Sequence, residues 1–106
     1  MNILEKKNYY NMLFDFYGVL LTSKQQEYFK NYYFDDLSLA EIANIYKVSR
    51  NAIFDQLNNI YQILENYEQK LHLIKRNKLR NEILDAFSKI DNEDIKEMIA
   101  KLRNVE

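Results

Sequence analysis

A chain of 106 residues with fifteen Lys+Arg, sixteen Asp+Glu and a net charge of −1 suits one domain, and its balance excludes a strongly basic nucleic-acid binder while leaving room for a local basic patch. The lack of cysteine excludes disulfides and thiolate metal sites, and the start MNILEKKNYY has no long apolar run, so neither a signal peptide nor a membrane span is expected and the protein should be cytoplasmic. With no proline, the single Gly18, and abundant Leu, Ile, Lys, Glu and Asn, the chain reads as all-α.

Residues 3–21 form a first helix, with Leu13, Phe14, Tyr17 and Leu20 or Leu21 at helical spacing and Gly18 weakening the last turn. In LTSKQQEYFKNYYFDD, Thr22 or Ser23 can cap a second helix whose Phe29, Tyr32 and Tyr33 face inward, and Asp35 with Asp36 marks its end. Ser38 and Glu41 then stand three apart as a capping box for a short helix with Leu39, Ile42, Ala43 and Tyr46 as its buried stripe. Ala43 is small where two helices would cross, Val48 is apolar in the turn, and Ser49 caps a helix whose Ile53, Leu57 and Ile60 return to the core. This set is the pattern of a helix-turn-helix. Lys47 takes the turn position that many such motifs give to glycine, at the cost of left-handed strain.

From there Ile53, Leu57, Ile60, Leu64, Tyr67, Leu71 and Ile74 alternate four and three apart as heptads. They predict a helix from Arg50 to about Ile74, roughly 37 Å long, whose far half overhangs the core. Leu79, Ile83, Ala86, Phe87 and Ile90 form a further stripe, and Ile95, Met98, Ile99 and Leu102 another that starts near Asp91 or Asn92; the phase slip after Ile74 places a bend or break near Arg76 to Lys78. These segments can cover the heptads within one chain. The preferred solution is a homodimer, with Leu64, Tyr67, Leu71 and Ile74 as its contact. The expected organisation is therefore a single domain over 1–106, with a helix-turn-helix bundle in 1–66 and a long helical extension in 67–106 carrying the dimer contact.

Stepping 100° per residue from the core line of the reading helix puts Asn51, Asp55, Asn58 and Asn59 on its outer face. Only Lys47 and Arg50 could touch phosphate there, and Asp55 would repel it, although Asn51 and Asn58 could reach adenine edges. The one strong positive cluster is KLHLIKRNKLR, where Lys70, Lys75, Arg76, Lys78 and Arg80 stand without an acid. It reads either as a solvated girdle around a helix or as a contact for RNA or an acidic protein. His72 lacks the neighbours a metal site needs, and no nucleophile-and-base pair or phosphate-cradling loop is present, so no catalytic, cofactor or metal residue is assigned and no enzyme activity is expected.

LTSKQQEYFKNYYFDDLSLAEIANIYKVSRNAIFDQL, followed by LENYEQKLHL, resembles the YlxM family of small bacterial proteins, themselves similar to the promoter-reading region four of sigma factors. The resemblance is densest over Leu21 to Leu73 and rests on the run YYFDD-SL-EIA-VSR-A. It implies a sigma-like helix-turn-helix in a protein that regulates or assists the signal recognition particle pathway, with the particle's GTPase or RNA as partner. Carried over residue by residue, the family's description as DNA-binding points to Ser49, Arg50, Asn51, Asp55 and Asn58. Two functions follow as expectations: an accessory protein of that pathway using Lys70 to Arg80 and the aromatic surface around Tyr28, Tyr32 and Tyr33, or a transcriptional regulator reading a two-fold operator.

Overall fold

The computed structural model describes residues 2–105, and among them it contains six α-helices and no strand. The chain divides into two compact units, Met1–His72 and Leu73–Glu106.

The first unit holds α1 (Ile3–Tyr17), a single 3-10 turn (Gly18–Leu20), α2 (Ser23–Tyr33), α3 (Leu39–Tyr46) and α4 (Arg50–Leu71). Local chemistry fixes its helix starts. The Asn2 side chain accepts from the Glu5 amide, and Thr22 with Gln25, then Ser38 with Glu41, form reciprocal capping boxes. The Ser38 amide, then its hydroxyl, hold the Glu41 carboxyl below the ordinary carboxylate range. Ser49 Oγ accepts from the Ala52 amide at 3.0 Å and starts α4.

The core is a stack of rings threaded on aliphatic lines. Phe14 of α1 stacks on Phe29 of α2 with centroids 4.2 Å apart, Phe29 stacks on Tyr33 at 4.2 Å, and Tyr10 stacks on Tyr61 of α4 at 4.1 Å. Leu13, Ile42, Ile53, Ile60 and Leu64 are wholly buried among them. Tyr28 also belongs to this core, packed edge-on against Tyr46, which removes it from the expected aromatic surface. Leu20, by contrast, is half exposed, because the helix tightens at Gly18 and turns it outward.

The expected overhang of α4 does not exist. Helix α1 lies along its far half, where Tyr10 donates to Glu65 at 3.0 Å, Tyr17 donates to Glu68 at 2.6 Å, and the Tyr17 and Tyr67 rings stack at 5.8 Å. Leu64 has no exposed surface and so cannot be a dimer contact. Tyr67 is half-buried against α1, and only Leu71, at 44 % exposure, keeps an open face among the candidates of this unit. The helix also ends earlier than expected. His72 turns left-handed (φ 56°, ψ 32°) and its amide closes on the Glu68 carbonyl at 2.8 Å, so the bend or break expected near Arg76 to Lys78 falls earlier, as a break at His72. Helical stability comes chiefly from packing, and the last cover from α1 is spent on Tyr67 and Glu68. Ile74, expected at the end of the heptad run, therefore belongs to the next helix.

The second unit is a pair of helices, α5 (Leu73–Ser88) and α6 (Glu93–Asn104). Asn92 starts α6 by accepting from the Asp94 and Ile95 amides at 2.9 and 3.2 Å. Arg103 of α6 donates to Asp85 of α5 at 2.7 Å. Its buried side chains are Leu84 and Ile99. The stripe of Leu79, Ile83, Ala86, Phe87 and Ile90 is not the buried line: all five are exposed, and the buried residue of α5 is Leu84.

Candidate nucleic-acid interface

The reading head is α3, a tight turn and the start of α4. Lys47 occupies the left-handed region (φ 59°, ψ 43°), and across it the Val48 amide donates to the Ala43 carbonyl at 3.0 Å, which closes α3 in the Schellman manner. Val48 stays 43 % exposed, so the turn is held by backbone bonds more than by burial of this side chain.

Every candidate on the reading head reaches the surface. Lys47, Ser49, Arg50, Asn51, Asp55, Asn58 and Asn59 are all exposed. Ser49 is engaged as the cap of α4, so its oxygen serves the helix first. The outer face thus offers Lys47 and Arg50 against Asp55, and the surrounding unit carries seven Lys+Arg against nine Asp+Glu over residues 1–72. Binding duplex DNA draws heavily on phosphate neutralisation. This face is poor in the charge that binding would use.

A different surface adjoins it. Two cavities of about 320 and 160 Å³ share Lys6, Tyr32 and Tyr61 as lining. The larger adds Ile3, Lys7 and Tyr33, and the smaller reaches the reading helix at Phe54 and Asn58. No acidic side chain lines either one. Lys7 lies 5.8 Å from the centroids of Tyr32 and Tyr33 and pairs with Asp36 at 3.4 Å, which draws its charge to the groove's edge. Tyr33 donates to the Tyr61 hydroxyl at 2.8 Å, leaving Tyr61 its own proton to offer a ligand. Burial, then this bond, raise the Tyr33 phenol; burial raises that of Tyr61.

Lys6, Lys7, Phe54 and Tyr61 were absent from the sequence candidates. Phe54, Asn58 and Tyr61 do stand at helical spacing beside the core line of α4, and Phe54 is 50 % exposed, which is the one local sign of a second face. The lysines come from α1 and only the fold brings them there. Of the basic cluster, Lys70 sits in the last turn of α4, whereas Lys75, Arg76, Lys78 and Arg80 lie on α5, all exposed. No group of three or more His, Cys, Asp or Glu side chains able to hold a metal occurs among the described residues, and no helix is long and apolar enough to cross a membrane.

Residues 4–105 match the profile of UPF0122, described as "Putative helix-turn-helix protein, YlxM / p13 like". The chain belongs to the UPF0122 family. It is 43 % identical over 103 residues to the UPF0122 protein YofM of Lactococcus lactis subsp. lactis, covering 97 % of this chain and 92 % of that one. A UPF0122 protein of Streptococcus mutans is 50 % identical over 86 residues, covering 81 % of this chain and 78 % of its own. That of Bacillus licheniformis is 49 % identical over 87 residues, with 82 % and 81 % covered. The UPF0122 match spans both units, so the α5–α6 pair is part of what the family shares and the helix-turn-helix is its named feature.

Proposed function

We propose that this UPF0122 protein is a non-enzymatic accessory protein of the signal recognition particle pathway, and that its first unit binds an unpaired stretch of the particle's RNA. The resemblance carried by Leu21 to Leu73 supplies the pathway. The observation that carries the choice of ligand is the groove beside the reading helix, where Lys6 and Lys7 stand among Tyr32, Tyr33, Tyr61 and Phe54 without an acid in the lining. Splayed bases stack on exposed rings while nearby ammonium groups hold the backbone, and neither contact needs the regular phosphate array of a duplex. The helix-turn-helix then serves as the scaffold that fixes Phe54 and Asn58 at the groove's edge.

Labelled full-length protein titrated against the reconstituted particle, its RNA alone, its GTPase alone and duplex DNA, at low and physiological salt, tests this reading. Binding to the particle and to its RNA should survive physiological salt, and DNA association should not. Stacking is worth about 1–3 kcal/mol per base, so Phe54→Ala or Tyr32→Ala should each weaken RNA binding roughly 5- to 150-fold. Binding carried by the GTPase alone would overturn the RNA assignment. Salt-tolerant binding to particular duplexes, lost on Arg50→Ala with Asn51→Ala, would make the protein an operator reader instead.

A further inference from the structure

The second unit buries little core of its own. Segments below about 40 residues usually need a disulfide, a metal or a partner to hold together, and Leu73–Glu106 has no cysteine and, among its described residues, no metal-ligand cluster. Its buried side chains are Leu84 and Ile99, while Leu79, Ile83, Phe87, Met98 and Leu102 are 40–57 % exposed. These apolar residues share a side. Counting 100° per residue from Asp85, Ile83 and Phe87 lie roughly 160° from it in either sense on α5; from Arg103, Met98 lies about 140° round α6. The face they make is therefore turned away from the Arg103–Asp85 bridge.

Its charges say what covers it. Away from the tip of the hairpin, the sequence of residues 73–81 and 100–106 contains six basic side chains and one acid. Toward the tip, residues 82–99 contain six acids and two lysines. The hairpin is thus polarised along its length, basic at the open end and acidic at the tip, with an apolar face between. A surface of that kind is complementary to itself when turned end for end, which is the requirement of an isologous two-fold interface. A parallel arrangement would set like charges opposite each other.

We propose that a second copy of this chain covers this face, with the two α5–α6 hairpins packed antiparallel so that the basic end of each lies over the acidic tip of the other. The apolar contact is Leu79, Ile83 and Phe87 with Met98 and Leu102, and the flanking charges set the direction. The contact is distinct from the heptad line of α4, and it is independent of the groove because it involves neither its rings nor its lysines.

The test is the solution mass of the full-length protein by light scattering and sedimentation. The parent should be a dimer. Ile83→Asp with Phe87→Asp should give a monomer whose near-ultraviolet tyrosine signal is unchanged, since all nine tyrosines lie in the first unit. Charge exchange fixes the direction: Arg76→Glu with Lys78→Glu, and separately Glu93→Lys with Asp94→Lys, should each weaken self-association about tenfold or more at low salt. Mixing the two variants should restore a dimer of parental affinity, because each reversed end then meets a reversed partner. A monomeric parent, a dimer indifferent to Ile83→Asp with Phe87→Asp, or a mixture no tighter than its components would overturn the proposal. Loss of particle binding by the groove variants with the mass unchanged leaves this interface standing and bears only on the ligand.

Discussion

The two units solve the same problem, burying an amphipathic helix, with different means. Among the described residues, twelve of the fourteen buried hydrophobic side chains lie in the first unit, where four helices enclose them. Of the chain's fifteen aromatic residues only Phe87 lies outside that unit, and it is half exposed. Rings bring large apolar area and specific stacking geometry, so one short chain segment can close a core around them. The second unit has two helices, on which the buried apolar residues are Leu84 and Ile99. The difference teaches that helical pattern alone does not say whether a segment finishes its own core; the number of elements able to surround it does.

The widest separation between the units should come from truncating one isoleucine in each. Ile60→Ala removes a wholly buried side chain from the first unit and should cost about 2–5 kcal/mol, seen as a fall in the urea midpoint of the tyrosine signal. Ile83→Ala removes one that is 57 % exposed and should leave that midpoint within about 0.5 kcal/mol while loosening self-association. Equal shifts for both would mean that the two units unfold as one and that the contrast is only geometric.

A smaller effect sharpens the account of the first unit. Gly18 has ordinary helical angles (φ −57°), so its role is not conformational freedom. A Cβ there would stand 2.8 Å from the Phe14 ring, which is itself pinned against Phe29 at 4.2 Å. Gly18→Ala should therefore destabilise by about 1–3 kcal/mol through overpacking, measured by thermal unfolding of the tyrosine signal. Gly18→Ala with Phe14→Leu should recover part of that loss. If the single variant is neutral, the ring has room to shift and the aromatic stack is looser than its distances imply.

The sequence made the all-α class and the helix-turn-helix legible because both are written in local spacing. Ser38 to Glu41 and Ser49 to Ala52 are bonds over three residues, and each cap forms where it was expected. Lys47, in the turn position that many such motifs give to glycine, implies a left-handed residue at a cost, and it is one. What failed depends on distant partners. Nothing near Leu64 reveals that Tyr10 and Tyr17, more than forty residues earlier, will bond to Glu65 and Glu68 beside it. His72 stops α4 without glycine or proline, so no sequence signal announced the break, and the heptad spacing ran straight through it. On α5 the spacing of Leu79, Ile83 and Phe87 marks one apolar line, but the buried residue is Leu84, whose helical neighbours Asn77, Arg80, Asn81 and Ser88 are polar and give no sign of it. The groove was illegible for the same reason, since Lys6, Tyr32 and Tyr61 come from three helices.

Alkaline pH offers the finest probe of the difference, because the second unit has no tyrosine to titrate. In the first unit Tyr10 is pushed up to about 12, chiefly by burial and then by the bond it donates to the Glu65 carboxylate, and burial also raises Tyr33 and Tyr61. An unfolded phenol ionises near 10. Between that value and about 12 the unfolded chain has released the Tyr10 proton while the folded chain still holds it, so stability falls as pH rises across this window and is fully present below it. Tyr10→Phe should cost about 1 kcal/mol at neutral pH through loss of the hydrogen bond, yet flatten the alkaline decline. Urea titrations of the tyrosine signal at about pH 8 and about pH 11 measure both. Parallel declines for parent and variant would mean that Tyr10 ionises as easily folded as unfolded, and that the contact binding α1 to the far half of α4 is weaker than its 3.0 Å length suggests.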